Sequence, residues 1–271
     1  MKIALVQCSA TRNVETNVRA AVDSVEAAAK KGAKLVCFPE LAFTRFHPQR
    51  RAPKGVASLA EPVPGPTTDL FSGLARRLRL VIVLNLFERA GRRCFDSSPV
   101  IDADGRLLGR TRMVHITDYP LFHEQGYYAP GDTGAPVYET AVGRVGVAIC
   151  YDRHFPEYLR ALALGGAGLI VVPQAGTVGE WPDGLYEAEM QTAAFQNGVF
   201  TALCNRTGVE EQMRFSGESF VCAPDGRIVA RAGRKPALLT AAIDLRECAS
   251  SHAKRLFFKH RRPDVYGPLV K

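Results

Sequence analysis

The chain has 271 residues, of which 46% are hydrophobic and 23% charged, and this composition excludes a disordered chain because it supports a substantial buried core. Its formal net charge of +8 raises the question of nucleic-acid binding, but the dense basic run is confined to residues 254–262 and has no aromatic stacking motif beside it. We therefore expect no nucleic-acid partner, and a mildly basic surface suited to small anionic substrates.

Short apolar runs typical of strands alternate along the chain with longer stretches of helical periodicity. In chain order they predict a strand at 2–7, a helix at 14–31, strands at 33–38 and 80–84 on either side of a helix at 67–79, a strand at 145–149, and helices at 156–164 and 185–196. Such alternation indicates an α/β fold.

Two pairs of similar segments indicate a weak internal repeat. Asp-Gly turns lie between apolar runs at 100–108 and 221–229, and each predicts a β-hairpin. The runs at 32–40 and 166–174 also resemble each other. Two similar halves without a linker-like stretch predict one domain over residues 1–271, with two sheets packed face to face and helices outside.

The cysteines and histidines show no pattern of a disulfide framework or a metal site. There are seven cysteines without a Cys-x-x-Cys pair and six histidines without ligand spacing, so we expect no metal and no cofactor. The longest apolar run, at 161–173, is short and contains glycines, and residues 1–7 do not resemble a secretory signal. We therefore expect a cytoplasmic protein without membrane contact.

Cys150 is a candidate nucleophile because of its place in the sequence. The strand predicted at 145–149 ends at this thiol, and Pro156 opens the following helix. Backbone N–H groups and the positive end of a helix near such a turn favour a thiolate and stabilise a developing oxyanion. The alternative is a small buried hydrophobic residue without a function, and context alone leaves both readings open.

Glu40 is the candidate base for this thiol. Although most glutamates are exposed, the residues at 41–43 are apolar, so we expect the loop to turn inward. If the strands before Glu40 and Cys150 are neighbours in one sheet, their carboxyl ends meet at one crevice. A carboxylate in such surroundings has a raised pKa and is suited to accept a proton from a thiol or from water.

Four motifs occur in a specific order along nearly the whole chain. They are Phe-Pro-Glu-Leu at 38–41, Pro-Gly-Asp-Thr-Gly at 130–134, Ile-Cys-Tyr-Asp-Arg at 149–153 and Asn-Arg-Thr-Gly at 205–208. Together they resemble the nitrilase superfamily of carbon–nitrogen hydrolases. The resemblance implies a single carbon–nitrogen hydrolase domain over residues 1–271, folded as a four-layer αββα sandwich with two pseudo-symmetric halves. It also implies a homodimer or a higher homo-oligomer.

The resemblance assigns roles to individual residues. Glu40 matches the general base, Cys150 the nucleophile and Glu124 the family's second glutamate. The backbone N–H of Tyr151 matches one oxyanion donor. The family's lysine falls at Met113, whose thioether cannot donate a hydrogen bond. Losing one donor to the oxyanion typically costs roughly 100 to 1000-fold in turnover.

The methionine leaves three outcomes open. An arginine or His115 replaces the lysine, activity survives at a reduced level, or the protein is a non-catalytic homologue that binds or regulates. Arg112 is adjacent, but side chains alternate across a strand, so we expect it to point away from Met113. No lysine lies between Lys54 and Lys235. The retained glutamates and cysteine favour an active hydrolase.

Arg153 is the clue to the substrate. Its turn looks most like those of N-carbamoyl amino acid amidohydrolases and β-ureidopropionases, in which an arginine here is associated with the substrate carboxylate. Sequences of the carbamoylputrescine type lack it. The resemblance thus implies a small amide or ureide substrate that carries a carboxylate and is cleaved through a thioester on Cys150. Alternatively, Arg153 only pairs with Asp152, Glu157 or another acid on its helix.

Overall fold

The computed structural model describes residues 1–270, and this part of the chain forms 17 strands and six α-helices. The strands are β1 (Lys2–Gln7), β2 (Leu35–Cys37), β3 (Val81–Val83), β4 (Leu86–Ala90), β5 (Arg93–Ile101), β6 (Leu107–Arg112), β7 (Asp118–Tyr119), β8 (Phe122–His123), β9 (Val137–Thr140), β10 (Gly143–Val147), β11 (Leu169–Gln174), β12 (Phe200–Asn205), β13 (Thr207–Glu210), β14 (Met213–Ser216), β15 (Phe220–Cys222), β16 (Ile228–Arg231) and β17 (Ala237–Ala242). The helices are α1 (Val14–Lys30), α2 (Pro66–Leu78), α3 (Pro156–Leu164), α4 (Leu185–Asn197), α5 (Arg246–Ser250) and α6 (His252–Arg255).

The predicted helices and strands are confirmed, with ends that differ by at most two residues. Local sequence signals set the helix ends. The side chain of Asn13 accepts the N–H of Thr16 at 2.8 Å and caps α1. Pro66 and Pro156 occupy the first positions of α2 and α3. Gly198 ends α4 in the left-handed conformation, at a φ of +61°.

Two large sheets have the same plan. In the first sheet, the order is β17-β1-β2-β3-β5-β4, with β6 also paired to β5. In the second sheet, the order is β16-β15-β12-β11-β10-β9. Each contains three central parallel strands, followed by an antiparallel hairpin with an Asp-Gly turn. The two halves therefore repeat one unit, as the sequence predicts.

Three apolar cores define four layers. The central core lies between the two sheets, and the two outer cores lie between one sheet and its helices, α1 and α2 on one side and α3 and α4 on the other. Successive side chains of a strand enter different cores, because they alternate across the sheet. Leu35 and Cys37 face the central core, whereas Val36 packs under α1 and α2. Strands buried on both faces read as continuous apolar runs, and the fold is an αββα sandwich.

The cysteines and the helices also bear on disulfide bonds and on membrane spans. All seven cysteines are free thiols. None of the helices within residues 1–270 is both long enough and apolar enough to cross a membrane.

Candidate active site

Cys150 lies in a strained turn between β10 and α3. Its φ is +42°, a left-handed conformation that residues other than glycine rarely adopt. A short 3₁₀ helix, Cys150–His154, follows and leads into Pro156 at the start of α3. The strand-to-helix turn predicted for Cys150 is confirmed. This conformation is adopted by the residue that the motif identifies as the nucleophile.

The buried carboxylate of Asp152 holds this turn in place. One of its oxygens accepts the N–H of Ile149 at 3.2 Å, and the other accepts the N–H of His115 at 3.0 Å. The imidazole Nδ1 of His115 lies 2.7 Å from the same carboxylate, and the ring stacks on Phe155 with 3.5 Å between ring centroids. Asp152 therefore ties the turn at Cys150 to the segment that follows β6, and His115 belongs to this support.

Glu40 is fully buried, and its loop turns inward as predicted. The next residue, Leu41, has a φ of +47°, and its N–H donates to the side chain of Asn85 at 2.7 Å. The guanidinium of Arg206 donates to the backbone oxygens of both Glu40 and Leu41. The loop is thus fixed by buried polar contacts that leave the Glu40 carboxylate directed to other partners.

The condition that Glu40 and Cys150 follow neighbouring strands of one sheet is not met. Glu40 follows β2 of the first sheet, whereas Cys150 follows β10 of the second. The residues meet across the sandwich, because the central parallel strands of both halves end near one another. The Glu40 carboxyl and the Cys150 thiol nevertheless lie near enough for each to act on the ionisation of the other.

Burial dominates the ionisation of this pair. It raises the pKa of Glu40 to about 7, and the nearby charge of Glu124 acts in the same direction. Burial also raises the pKa of the Cys150 thiol well above its usual range, although the guanidinium of Arg153 opposes this. The N-terminal end of α3 therefore does not make Cys150 a free thiolate. A neutral thiol lies beside a carboxyl group that can accept its proton near neutral pH.

Glu124 is the third residue of the predicted set, and the structure brings it to the same place. It begins a 3₁₀ helix, Glu124–Gly126, and is fully buried. One oxygen accepts the N–H of Thr117 at 3.3 Å, and the other has no hydrogen-bond partner among the described residues. Burial raises the pKa of Glu124 well above its usual range. The free oxygen is an acceptor available to a substrate N–H or to a water.

Met113 is fully buried and packs in the central core. Its neighbour Arg112 does not replace the family's lysine. The guanidinium of Arg112 donates to Glu88 at 2.6 and 2.9 Å and to Asp132 at 2.6 Å, and it lies 3.9 Å from the centroid of the Phe95 ring. Arg112 thus points away from Met113, as the alternation of side chains predicts.

Asp96, a fully buried residue of β5 whose ionisation depends on Glu40, was not predicted from the sequence. One of its oxygens accepts the side-chain N–H of Asn85 at 2.6 Å. Burial and the charge of Glu40 raise the pKa of Asp96 well above its usual range. The signal in the sequence is weak, because Asp96 is followed by the polar pair Ser97 and Ser98, although β5 is buried at every position after Arg93.

Arg153 is only 3% exposed and is held by several groups at once. Its Nη1 donates to the backbone oxygen of Cys150 and to the side chain of Gln174, each at 2.9 Å. Its Nε donates to Glu189 of α4 at 3.1 Å, so the acid that pairs with Arg153 is neither Asp152 nor Glu157. Its Nη2 is buried without a partner in the part of the chain that the structure describes.

A carboxylate bound by tyrosines lies close to the site. Glu180, in the segment between β11 and α4, accepts the hydroxyl of Tyr119 at 2.6 Å and that of Tyr186 at 2.7 Å. Its charge contributes to the raised pKa of Cys150. The neighbouring Trp181 packs edge-on against His154, with 5.1 Å between ring centroids. This segment therefore packs beside the turn that contains Cys150.

Comparison with known proteins gives relatives that match most or nearly all of this chain. An N-carbamoylputrescine amidase from Solanum lycopersicum is 38% identical, and the alignment covers 99% of this chain and 94% of that protein. A beta-ureidopropionase from Arabidopsis thaliana is 32% identical, and the alignment covers 91% of this chain and 65% of that protein.

A solved structure has the same fold. The crystal structure of a carbon–nitrogen hydrolase from Helicobacter pylori G27 is 30% identical and superposes with a TM-score of 0.93, over 100% of this chain and 98% of that one. Residues 2–253 match the carbon–nitrogen hydrolase family. The protein therefore belongs to the carbon–nitrogen hydrolase family, as the nitrilase-superfamily motifs predict.

Proposed function

We propose that the protein hydrolyses a C–N bond of a small N-carbamoyl compound, or of a related linear amide, through a thioester on Cys150. The observation that supports this most strongly is the fully buried carboxyl of Glu40, whose oxygens have no hydrogen-bond partner within residues 1–270 and whose charge acts on the Cys150 thiol. Burial raises the pKa of this carboxyl to about 7. A proton acceptor poised near neutral pH beside a thiol is the arrangement that nucleophilic catalysis needs. The names of the two relatives described above supply the ureide class of substrate.

In this mechanism Glu40 acts twice as a base. It accepts the thiol proton while the sulfur of Cys150 attacks the carbonyl carbon, and it returns that proton to the leaving nitrogen as ammonia or amine departs. It then takes a proton from the water that attacks the thioester, and this proton returns to the sulfur when the acid leaves. Glu124 orients Glu40 or the substrate nitrogen, and the backbone N–H of Tyr151 donates to the oxyanion.

The finer proposal is that the substrate carries a carboxylate. The Nη2 of Arg153 is a buried donor beside Cys150 and has no partner within residues 1–270. A substrate carboxylate that reaches it forms a charge-assisted hydrogen bond, whereas an amine tail places two cations side by side. A ureide with a carboxylate is therefore expected to react faster than N-carbamoylputrescine, the substrate in the name of the tomato relative.

Release of ammonia from a panel of N-carbamoyl amino acids and N-carbamoylputrescine tests the proposal. Cys150→Ala is expected to abolish release, because the thioester cannot form. Cys248→Ala is the matched control, since Cys248 lies in α5 and contacts the backbone oxygen of Gly168. It is expected to keep the activity. Unchanged release in Cys150→Ala would refute the mechanism.

A second candidate function is binding without catalysis. The observation in its favour is Met113, a buried thioether at the position where the family has a lysine. In that case the parent protein binds ureides without releasing ammonia, and Met113→Lys creates turnover. Turnover by the parent protein that depends on Cys150 would exclude this alternative.

We also propose a single domain over residues 1–271 and a homodimer in the cytoplasm, as the family resemblance implies. Large apolar side chains are exposed on α3 and near the C-terminus, at Leu164 and Leu269, and these offer a surface for association. The mass in solution, measured by light scattering after gel filtration, tests the dimer. A mass equal to that of one chain at micromolar concentration would contradict it.

A further inference from the structure

Three buried carboxyl groups lie together at the candidate active site. Glu40, Asp96 and Glu124 are each fully buried, and each acts on the ionisation of another member of the group. Three negative charges cannot coexist in such surroundings without a compensating cation or proton. The family's lysine is replaced by Met113, so the cation is absent at that position.

Asp96 lies directly beside that position. The N–H of Met113 donates to the backbone oxygen of Asp96 at 2.9 Å, one step beyond the register pair of Ser97 and Arg112. Residues opposite each other on paired strands project to the same face of the sheet. Cys94 and the other alternate residues of β5 face the central core, so the Asp96 side chain points there too.

The hydrogen bonds around Asp96 require a proton. One of its oxygens accepts from Asn85, whose own carbonyl accepts the N–H of Leu41, so Asn85 fixes both Asp96 and the Glu40 loop. The other Asp96 oxygen and both Glu40 oxygens are buried without a donor from any other described residue. An ionised carboxylate only accepts hydrogen bonds, so Asp96 can donate to Glu40 only when Asp96 carries a proton.

We propose that Asp96 is a positioning residue: as a neutral carboxylic acid it donates a hydrogen bond to Glu40, holds that carboxylate toward Cys150, and takes the place of the positive charge that Met113 lacks. The proton removes one negative charge from the cluster and leaves Glu40 as the acceptor. The role in turnover rests on the proposed function, whereas the shared proton does not. The raised pKa of Asp96 agrees with the neutral form.

Other titratable groups also act on this pair. The charges and protons that influence Asp96 or Glu40 belong to Glu124, Cys150, Tyr128, Asp152 and Arg206. The test therefore changes only Asp96, keeps the pH constant, and assigns infrared bands by subtracting the spectrum of the variant from that of the unchanged protein. Asp102→Asn is the matched control, because Asp102 lies at the end of the same hairpin and accepts the N–H of Ala141.

Infrared difference spectroscopy at pH 7 tests the proton directly and needs no turnover. Subtracting the Asp96→Asn spectrum from that of the unchanged protein is expected to reveal the carbonyl stretch of a protonated carboxylic acid. The Asp102→Asn variant is expected to keep the band that is assigned to Asp96. An ionised carboxylate at Asp96 would overturn the proposal, whatever the enzyme activity.

The positioning role is tested by the rate at which iodoacetamide alkylates Cys150 at pH 7, followed by peptide mass spectrometry. Asp96→Ala is expected to slow alkylation roughly 10 to 100-fold, because the hydrogen bond to a charged partner is lost. Asp96→Asn keeps a hydrogen-bond donor, so its alkylation rate is expected to stay within about threefold of that of the unchanged protein. The increase of this rate with pH is expected to occur at lower pH. Equal rates in Asp96→Ala and the unchanged protein would overturn the positioning role.

Turnover separates the two proposals. If ureides are hydrolysed, Asp96→Ala is expected to lower kcat with little change in KM, since Asp96 acts through Glu40 and not through the substrate. A change confined to KM would contradict the proposal. If no substrate is turned over, the proposed function fails, and the infrared and alkylation results still decide whether Asp96 shares its proton with Glu40.

Discussion

Replacing Glu40 with glutamine is expected to make the protein more stable at alkaline pH than the unchanged chain. Burial raises the pKa of Glu40 from an ordinary value of 4.5 to about 7 in the folded state. Between these values the folded protein binds more protons than the unfolded chain, so the free energy of unfolding decreases as pH rises. The shift corresponds to about 3 kcal/mol, which is fully lost above pH 7. Glutamine does not ionise, so the variant escapes this loss.

Urea unfolding at pH 5 and pH 8 measures the effect. The difference in unfolding free energy, variant minus unchanged protein, is expected to rise by about 2 to 3 kcal/mol between these pH values. Glu139→Gln is the control, because Glu139 is on the surface, and its difference is expected to stay within about 0.5 kcal/mol. An equal difference at both pH values for Glu40→Gln would refute the burial argument.

Substitutions at Arg153, Arg206 and Met113 each test one contact or charge of the site and its surroundings. Arg153→Lys is expected to lower kcat/KM for a carboxylate-bearing ureide roughly 10 to 100-fold more than for N-carbamoylputrescine, and equal losses would contradict carboxylate recognition. Arg206 forms a buried ion pair with Glu210. Arg206→Met is therefore expected to lower the free energy of unfolding in urea by about 3 to 5 kcal/mol, because the Glu210 carboxylate loses its cation, whereas Arg214→Met, at an exposed position, is expected to lower it by less than about 0.5 kcal/mol. Met113→Lys is expected to weaken the infrared band of protonated Asp96 at pH 7, because the lysine charge compensates the carboxylate in place of the proton. An unchanged band would contradict this replacement of a proton by a cation.

The layers could be predicted from the sequence because the apolar residues of each strand indicate which of its faces are buried. Leu35, Val36 and Cys37 are all apolar because the strand has a core on both faces, and such runs need no partner to be recognised. The Asp-Gly turns likewise fix their hairpins locally. The sheet to which each strand belongs is decided by packing between distant residues, so the sequence left open whether Glu40 and Cys150 follow strands of one sheet.

The parts of the site that escaped prediction depend on pairing between distant residues. Asp96 gains its importance only as the cross-strand neighbour of Met113 and as a contact of Glu40, and neither relation is visible along the chain. The partner of Arg153 is Glu189, 36 residues away on another helix. Local motifs therefore identify the reacting groups, whereas the groups that tune them appear only after folding.

The central claim is that Cys150 forms a covalent thioester during turnover. Acid quenching of the protein in the steady state with an N-carbamoyl substrate, followed by peptide mass spectrometry, tests this most directly. The peptide containing Cys150 is expected to gain the mass of the substrate's acyl or carbamoyl group, and Cys150→Ala is expected to show neither the adduct nor ammonia release. Turnover that continues in Cys150→Ala, or an adduct on another cysteine, would contradict it.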